Sequence, residues 1–165
     1  GLAVGQHGLF GKQNMYEHSV RVPMVMRGKG VPQGERRDAY AYVLDIFPTL
    51  CDLIGVDIPD TVEGKSLVSA LNDADDHVRD TIFSAYRQYQ RMVKDDRYKL
   101  IEYVVDGRRT TQLFDLQNDP LELHNLADAP AHSDTLSKLR DILFQWRDDW
   151  DDEKSEWGKT FWAGF

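Results

Sequence analysis

Two strand-like runs, residues 98–105 and 109–116, are joined through Asp106-Gly107. This stretch constrains the fold more than any other. A type I′ turn needs positive φ at both of its central residues, and Asp-Gly adopts that conformation at low cost. The two runs therefore form a hairpin. Two shorter runs, 81–86 and 91–94, precede them, and Asn118-Asp-Pro120 supplies a closing turn. We expect a four-stranded antiparallel sheet. Leu136, Leu139, Leu143, Trp146 and Trp150 then recur at alternating spacings of three and four. That stripe predicts a long helix starting near Ser133 or Asp134 and lying across one face of the sheet. The aromatic tail after Trp157 has no clear period. It docks either on the body or on a neighbouring chain.

Upstream of residue 77 the pattern is different. Residues 1–19 are glycine-rich, as a loop folded closely around a ligand would be. Residues 22–26 and 39–44 read as short strands. Asp45 reads as an N-cap, with its carboxylate on free N–H groups of a helix that Gly55 ends. Ile46, Phe47, Leu50, Cys51, Leu53 and Ile54 share one face of that helix. A second short helix is expected within 65–71. Strand, loop, strand, helix is α/β organisation, and two strands cannot shield such segments alone. We therefore expect two parts: residues 1–76, the end of a larger α/β domain, and residues 77–165, a small α+β subdomain.

Charge and cysteine content exclude some function classes. The net charge of −8 argues against nucleic-acid binding. No apolar run is long enough to cross a bilayer. Cys51, the single cysteine, excludes an internal disulfide and reads as a buried structural thiol. Residues 1–37 hold six basic and two acidic side chains, +6 − 2 = +4. Residues 146–153 are strongly acidic. A basic mouth on an acidic body suits a small anion, but charge counts alone favour two merely solvated surfaces.

Four segments, in order, carry a family resemblance. The glycine-rich turn runs into Lys12, then Tyr16-Glu17, then Arg21-Val-Pro23. Val43-Leu-Asp-Ile-Phe-Pro-Thr-Leu-Cys-Asp-Leu-Ile-Gly55 and Glu63-Gly-Lys-Ser-Leu67 follow. Tyr98-Lys-Leu-Ile101, Leu113-Phe-Asp-Leu-Gln-Asn-Asp-Pro120 and Glu122-Leu-His-Asn-Leu126 complete the set. Together they resemble the C-terminal part of a formylglycine-dependent sulfatase of the alkaline-phosphatase superfamily. The resemblance implies that residues 1–76 end an alkaline-phosphatase-like mixed sheet with helices. It implies hydrolysis of a sulfate ester, with a formylglycine nucleophile and a Ca2+ ion held mainly by residues outside this chain. Gly1 would be the glycine of a metal-binding turn whose ligands lie just before it, so no metal ligand is assigned here. Cys51 does not match the formylglycine motif. The chain starts without Met or an export signal. We expect it to be a piece of a longer enzyme, exported as the family typically is, inactive alone and poorly folded in isolation. Its partners would be the N-terminal remainder of that enzyme and a sulfated small molecule or saccharide, with no nucleic acid and no membrane.

The resemblance makes Lys12 the residue that contacts sulfate. His7 either binds the substrate or orders the loop. Gln6 and Asn14 are weaker candidates for substrate contact, and Arg87, in the Tyr86–Arg91 stretch between two predicted strands, is a candidate for reading a sugar. Glu17 and Arg21 are expected to brace the loop as an ion pair, and His18 to be packed or on the surface. His77, His124 and His132 lack metal-ligand spacing. A non-catalytic glycan-binding or structural module, and a phosphoester or phosphonate hydrolase of the same superfamily, are the alternatives.

Overall fold

The computed structural model describes residues 1–165. In chain order the elements are β1 (Ala3–Val4), β2 (Phe10–Gly11), α1 (Glu17–Val20), α2 (Ile46–Ile54), α3 (Val68–Asn72), β3 (Ile82–Tyr86), β4 (Gln90–Lys94), β5 (Tyr98–Val105), β6 (Arg108–Asp115), α4 (Ser133–Asp149) and α5 (Glu156–Ala163). They form two compact units. Gly1–Val22 folds with Thr81–Phe165, and Pro23–Asp80 forms the other. The sequence-based division at 76/77 groups the residues differently, because the first 22 residues pack with the C-terminal sheet.

In the first unit, β3-β4-β5-β6 is an antiparallel meander. Asp106 and Gly107 turn β5 into β6 with φ of 50° and 71°, as the Asp-Gly pair requires. Strand side chains alternate between faces. Phe83, Val93, Leu100 and Leu113 point to one face and form a core with Leu139 and Leu143 of α4, flanked by Leu136 and Trp146. The expected helix-on-sheet packing is present. Trp150 ends the stripe at the helix C-cap, half exposed, edge-on to Phe83 and Trp146.

The opposite face is covered too. Gln90, Met92, Lys94, Lys99, Ile101, Tyr103, Gln112 and Phe114 alternate onto it. Residues 12–20 lie against that face: Tyr16 bonds Gln112 (3.1 Å), and Glu17 pairs with Lys94 and Lys99. This is why Met92 and Ile101 are as fully buried as Val93 and Leu100.

The aromatic tail forms α5 and docks on the body of its own chain. Ser155 caps it by accepting the Gly158 N–H (2.9 Å). Phe161 is fully buried. Asp152 accepts from Arg91 through both carboxylate oxygens (2.5 and 3.1 Å) and from Trp162 Nε1 (2.7 Å). The acidic stretch is thus only partly a solvated face.

In the second unit, α2 ends at Gly55 with φ 72°, as expected. Asp45 does not cap α2. Its carboxylate accepts from the N–H of Tyr42 (2.6 Å) and Lys65 (2.8 Å) and from both terminal nitrogens of Arg79. Burial would push this carboxyl up, but those donors hold it below its ordinary value. Residues 22–26 and 39–42 have no regular secondary structure and no strand pairing, and Val43–Asp45 is a 3₁₀ turn, so the two expected strands are absent. An apolar run becomes a strand only where a neighbour completes its backbone hydrogen bonds. Cys51 is buried, but Phe47, Leu50 and Ile54 of the expected apolar face are exposed. The second helix occupies Val68–Asn72, slightly later than expected.

Candidate active-site loop

Lys12 directly follows a minimal hairpin. β1 and β2 pair through Ala3↔Gly11 and Val4↔Phe10. Gly5, Gly8 and Gly11 all have positive φ (107°, 70° and 116°), a region that side chains with Cβ rarely adopt. Gln6 Oε1 accepts the Val4 N–H at 2.7 Å and stabilises the turn. The Lys12 side chain is exposed and has no ion-pair partner within the chain. Its N–H donates to Gln13 Oε1 (3.3 Å). Asn14 Oδ1 accepts the Tyr16 N–H (3.2 Å), so that side chain shapes the descent into α1.

His7 has φ 52°. Its ring stacks on Tyr16, with centroids 4.0 Å apart and planes 4° from parallel. Its Nε2 is 3.0 Å from the Leu121 carbonyl. His18 stacks beside Tyr16 (5.7 Å) with a buried, unbonded Nε2; burial, then the nearby His7, lower its pKa.

The expected Glu17–Arg21 pair does not form. Arg21 is exposed, and Glu17 turns to the sheet, where Lys94 (3.0 Å) and Lys99 (2.7 Å) meet it. A long side chain on a four-residue helix reaches a fully buried ammonium in preference to a solvated guanidinium. Burial would raise the Glu17 pKa, but the two lysines bring it below its ordinary value. Lys99 is fully buried. It donates to the Met15 carbonyl (3.1 Å), Glu17 and Glu122 (2.6 Å). Glu122 Oε2 accepts the Glu17 N–H at 2.7 Å. Burial also pushes the neighbouring Tyr103 phenol far up, helped by its contact with Tyr16.

Gln6, His7 and Lys12 therefore share one loop. Arg87 lies at the β3–β4 turn, exposed, with φ 46°. Its guanidinium is 5.6 Å from the Tyr86 ring and 5.9 Å from that of Trp157. One bond joins the two regions: Gln90 Nε2, at the start of β4, donates to the Gln13 carbonyl (3.2 Å). Sequence reasoning missed Lys99, Glu122 and Gln90. The one available signal was strand alternation, which places Lys99 on the face opposite Leu100. No group of three or more His, Cys, Asp or Glu side chains is arranged to hold a metal ion.

The sequence pattern of the N-sulphoglucosamine sulphohydrolase C-terminal family matches residues 5–149. The chain belongs to this sulfatase family. It is 33% identical over 151 residues to a choline-sulfatase of Rhizobium meliloti, covering 86% of this chain and 29% of that protein. Mouse arylsulfatase K is 32% identical over 152 residues, with 84% and 28% covered. The fold matches a solved structure in complex with its substrate D-glucosamine-2-N,6-O-disulfate, with a TM-score of 0.85 at 24% identity, over 96% of this chain and 34% of that one. The chain thus spans less than a third of the length of these two curated relatives.

Proposed function

We propose that this chain is the C-terminal portion of a sulfatase that hydrolyses a sulfate ester of a carbohydrate, and that Lys12 contacts the sulfate. The observation that carries this is an exposed, unpaired ammonium at the foot of a glycine-built hairpin anchored on one flank to a buried lysine of the sheet and on the other to the turn after β6. As the S–O bond of a sulfate ester breaks, negative charge grows on oxygen. A fixed cation beside those oxygens stabilises the transition state more than the ground state. Lysine provides a compact point charge for this.

No three His, Cys, Asp or Glu side chains of this chain are grouped to hold an ion by themselves. In the proposed enzyme the formylglycine nucleophile and most ligands of the Ca2+ ion belong to the N-terminal remainder, and no step is assigned to them here. The carbohydrate substrate is supported by the sulfated amino sugar in the family's description. Arg87, flanked by Tyr86 and Trp157, is the group proposed to meet the sugar outside the reacting centre. Gln6 and His7 shape the loop, and any contact they make with substrate is secondary to that. The full protein is read as exported, in line with the family resemblance; no helix of this chain is long and apolar enough to cross a membrane.

The test is Lys12→Ala in the full-length protein, assayed on 4-nitrophenyl sulfate and on glucosamine 6-sulfate. The rate should fall by about two orders of magnitude or more, as loss of one oxyanion-stabilising group does, with unfolding unchanged. An unchanged rate would remove Lys12 from the reaction. Faster turnover of 4-nitrophenyl phosphate than of the sulfate would favour a phosphohydrolase instead. No turnover of any ester would favour a binding module.

A further inference from the structure

The turn after β6 contains the segment Glu122-Leu-His-Asn-Leu126, to which the proposed reaction assigns no role. Glu122 is 2% exposed and holds φ 58°, a conformation unfavourable for a residue with Cβ. Both of its carboxylate oxygens are engaged, one by the Glu17 N–H and the other by Lys99 Nζ. The carbonyl just before it, on Leu121, meets His7 Nε2. His7 lies five residues before Lys12 and Glu17 five after. Two consecutive residues of one turn therefore grip the Lys12 segment on both sides. Lys99 strengthens the second grip by also binding the Met15 carbonyl.

We propose that Glu122 is a positioning residue for Lys12: with Lys99 and the Leu121 carbonyl it forms a clasp that fixes where the Lys12 ammonium stands. This rests on the reading of Lys12 as the sulfate contact. Burial alone does not explain the arrangement. An apolar cluster of the same volume is often as stable as a buried ion pair, whereas directed bonds to named backbone atoms specify one loop geometry. Placement matters because a displacement of about 1 Å at a reacting group can cost on the order of 100-fold in rate.

The experiment uses the full-length protein carrying residues 1–165 and 4-nitrophenyl sulfate. It compares wild type, Glu122→Gln, Lys12→Ala and the double variant. Glu122→Gln should lower kcat about 10-fold or more while KM changes less than about 2-fold. In the Lys12→Ala background the same change should cost less than about 2-fold, because two residues acting through one group are not additive. Hydrogen exchange should rise in residues 12–20 of Glu122→Gln but not in β4 and β5. His7→Phe keeps a ring on Tyr16 and removes the bond to Leu121, so it carries the same test if Glu122→Gln does not fold.

Additive losses, or unaltered exchange at 12–20, would overturn the clasp while leaving Lys12 in the reaction. Full activity of Lys12→Ala would overturn the Lys12 reading, and the clasp as a positioning device with it.

Discussion

Asp152 lies in a run of acids that looks like plain surface, yet it should be among the most sensitive positions in the C-terminal part. It is the anionic partner of Arg91, whose side chain is 1% exposed. That guanidinium also donates to the carbonyls of Arg87 and Gln90. Asp152 also accepts from Trp162 of α5. Asp152→Ala removes three charge-assisted bonds at once and leaves a buried cation without a counter-charge. Breaking a buried pair in this way costs about 3–5 kcal/mol. Asp152 itself is 12% exposed, so water reaches the site and the lower end, about 3 kcal/mol, is expected. Asp152→Asn keeps one acceptor and should cost about half as much. Urea unfolding of the full-length protein, followed by tryptophan fluorescence, measures both. A loss below about 1 kcal/mol for the alanine variant, the range of a surface ion pair, would refute the reasoning.

Leu139 is fully buried between α4 and the sheet, and Leu139→Ala should cost about 2–5 kcal/mol in the same urea assay through the cavity it leaves. Acid should destabilise this part in a defined window. The Glu17 pKa lies below its unfolded value, so its stabilising contribution is complete above about pH 4.5 and is lost as pH falls through the folded value. Asp95 in this unit, and Asp45 in the other, act in the same direction: burial would raise each, but their donors hold both low. His18 adds an earlier loss starting near pH 6.5, because protonating it is harder in the folded state. Unfolding midpoints measured from pH 8 to pH 3 should be flat and then decline. A rise on acidification would contradict these assignments.

The sheet, the Asp-Gly hairpin and α4 were legible because their signals are local: alternation, a turn dipeptide, a 3–4 stripe. The strands expected at 22–26 and 39–44 were misread because apolar composition says nothing about which neighbour would complete their backbone bonds. Asp45 was misread for a related reason. A carboxylate before an apolar helix looks like a cap, but its partner Arg79 is 34 residues away. In the candidate site, Lys12 stands as a candidate through a resemblance and its glycine approach. Lys99 and Glu122 were not, since a lysine in a strand reads as solvated until the cover on the second face is known. The same gap produced the unformed Glu17–Arg21 pair, where a nearby partner in sequence lost to two lysines of the sheet.

The grips on the Lys12 segment come from far downstream: Met15 to Lys99 spans 84 residues, Glu17 to Glu122 spans 105, and His7 to Leu121 spans 114. A ribosome adding about 5–20 residues per second needs roughly 6–23 s to cover the longest of these intervals. Within that time Gln90, Lys94, Lys99 and Gln112 reach the segment first, and the bonds from Leu121 and Glu122 come last. The proposed clasp is therefore completed late in synthesis, and a polypeptide terminated before residue 121 would carry Lys12, all four strands of the meander and Lys99 but neither the Leu121 nor the Glu122 bond.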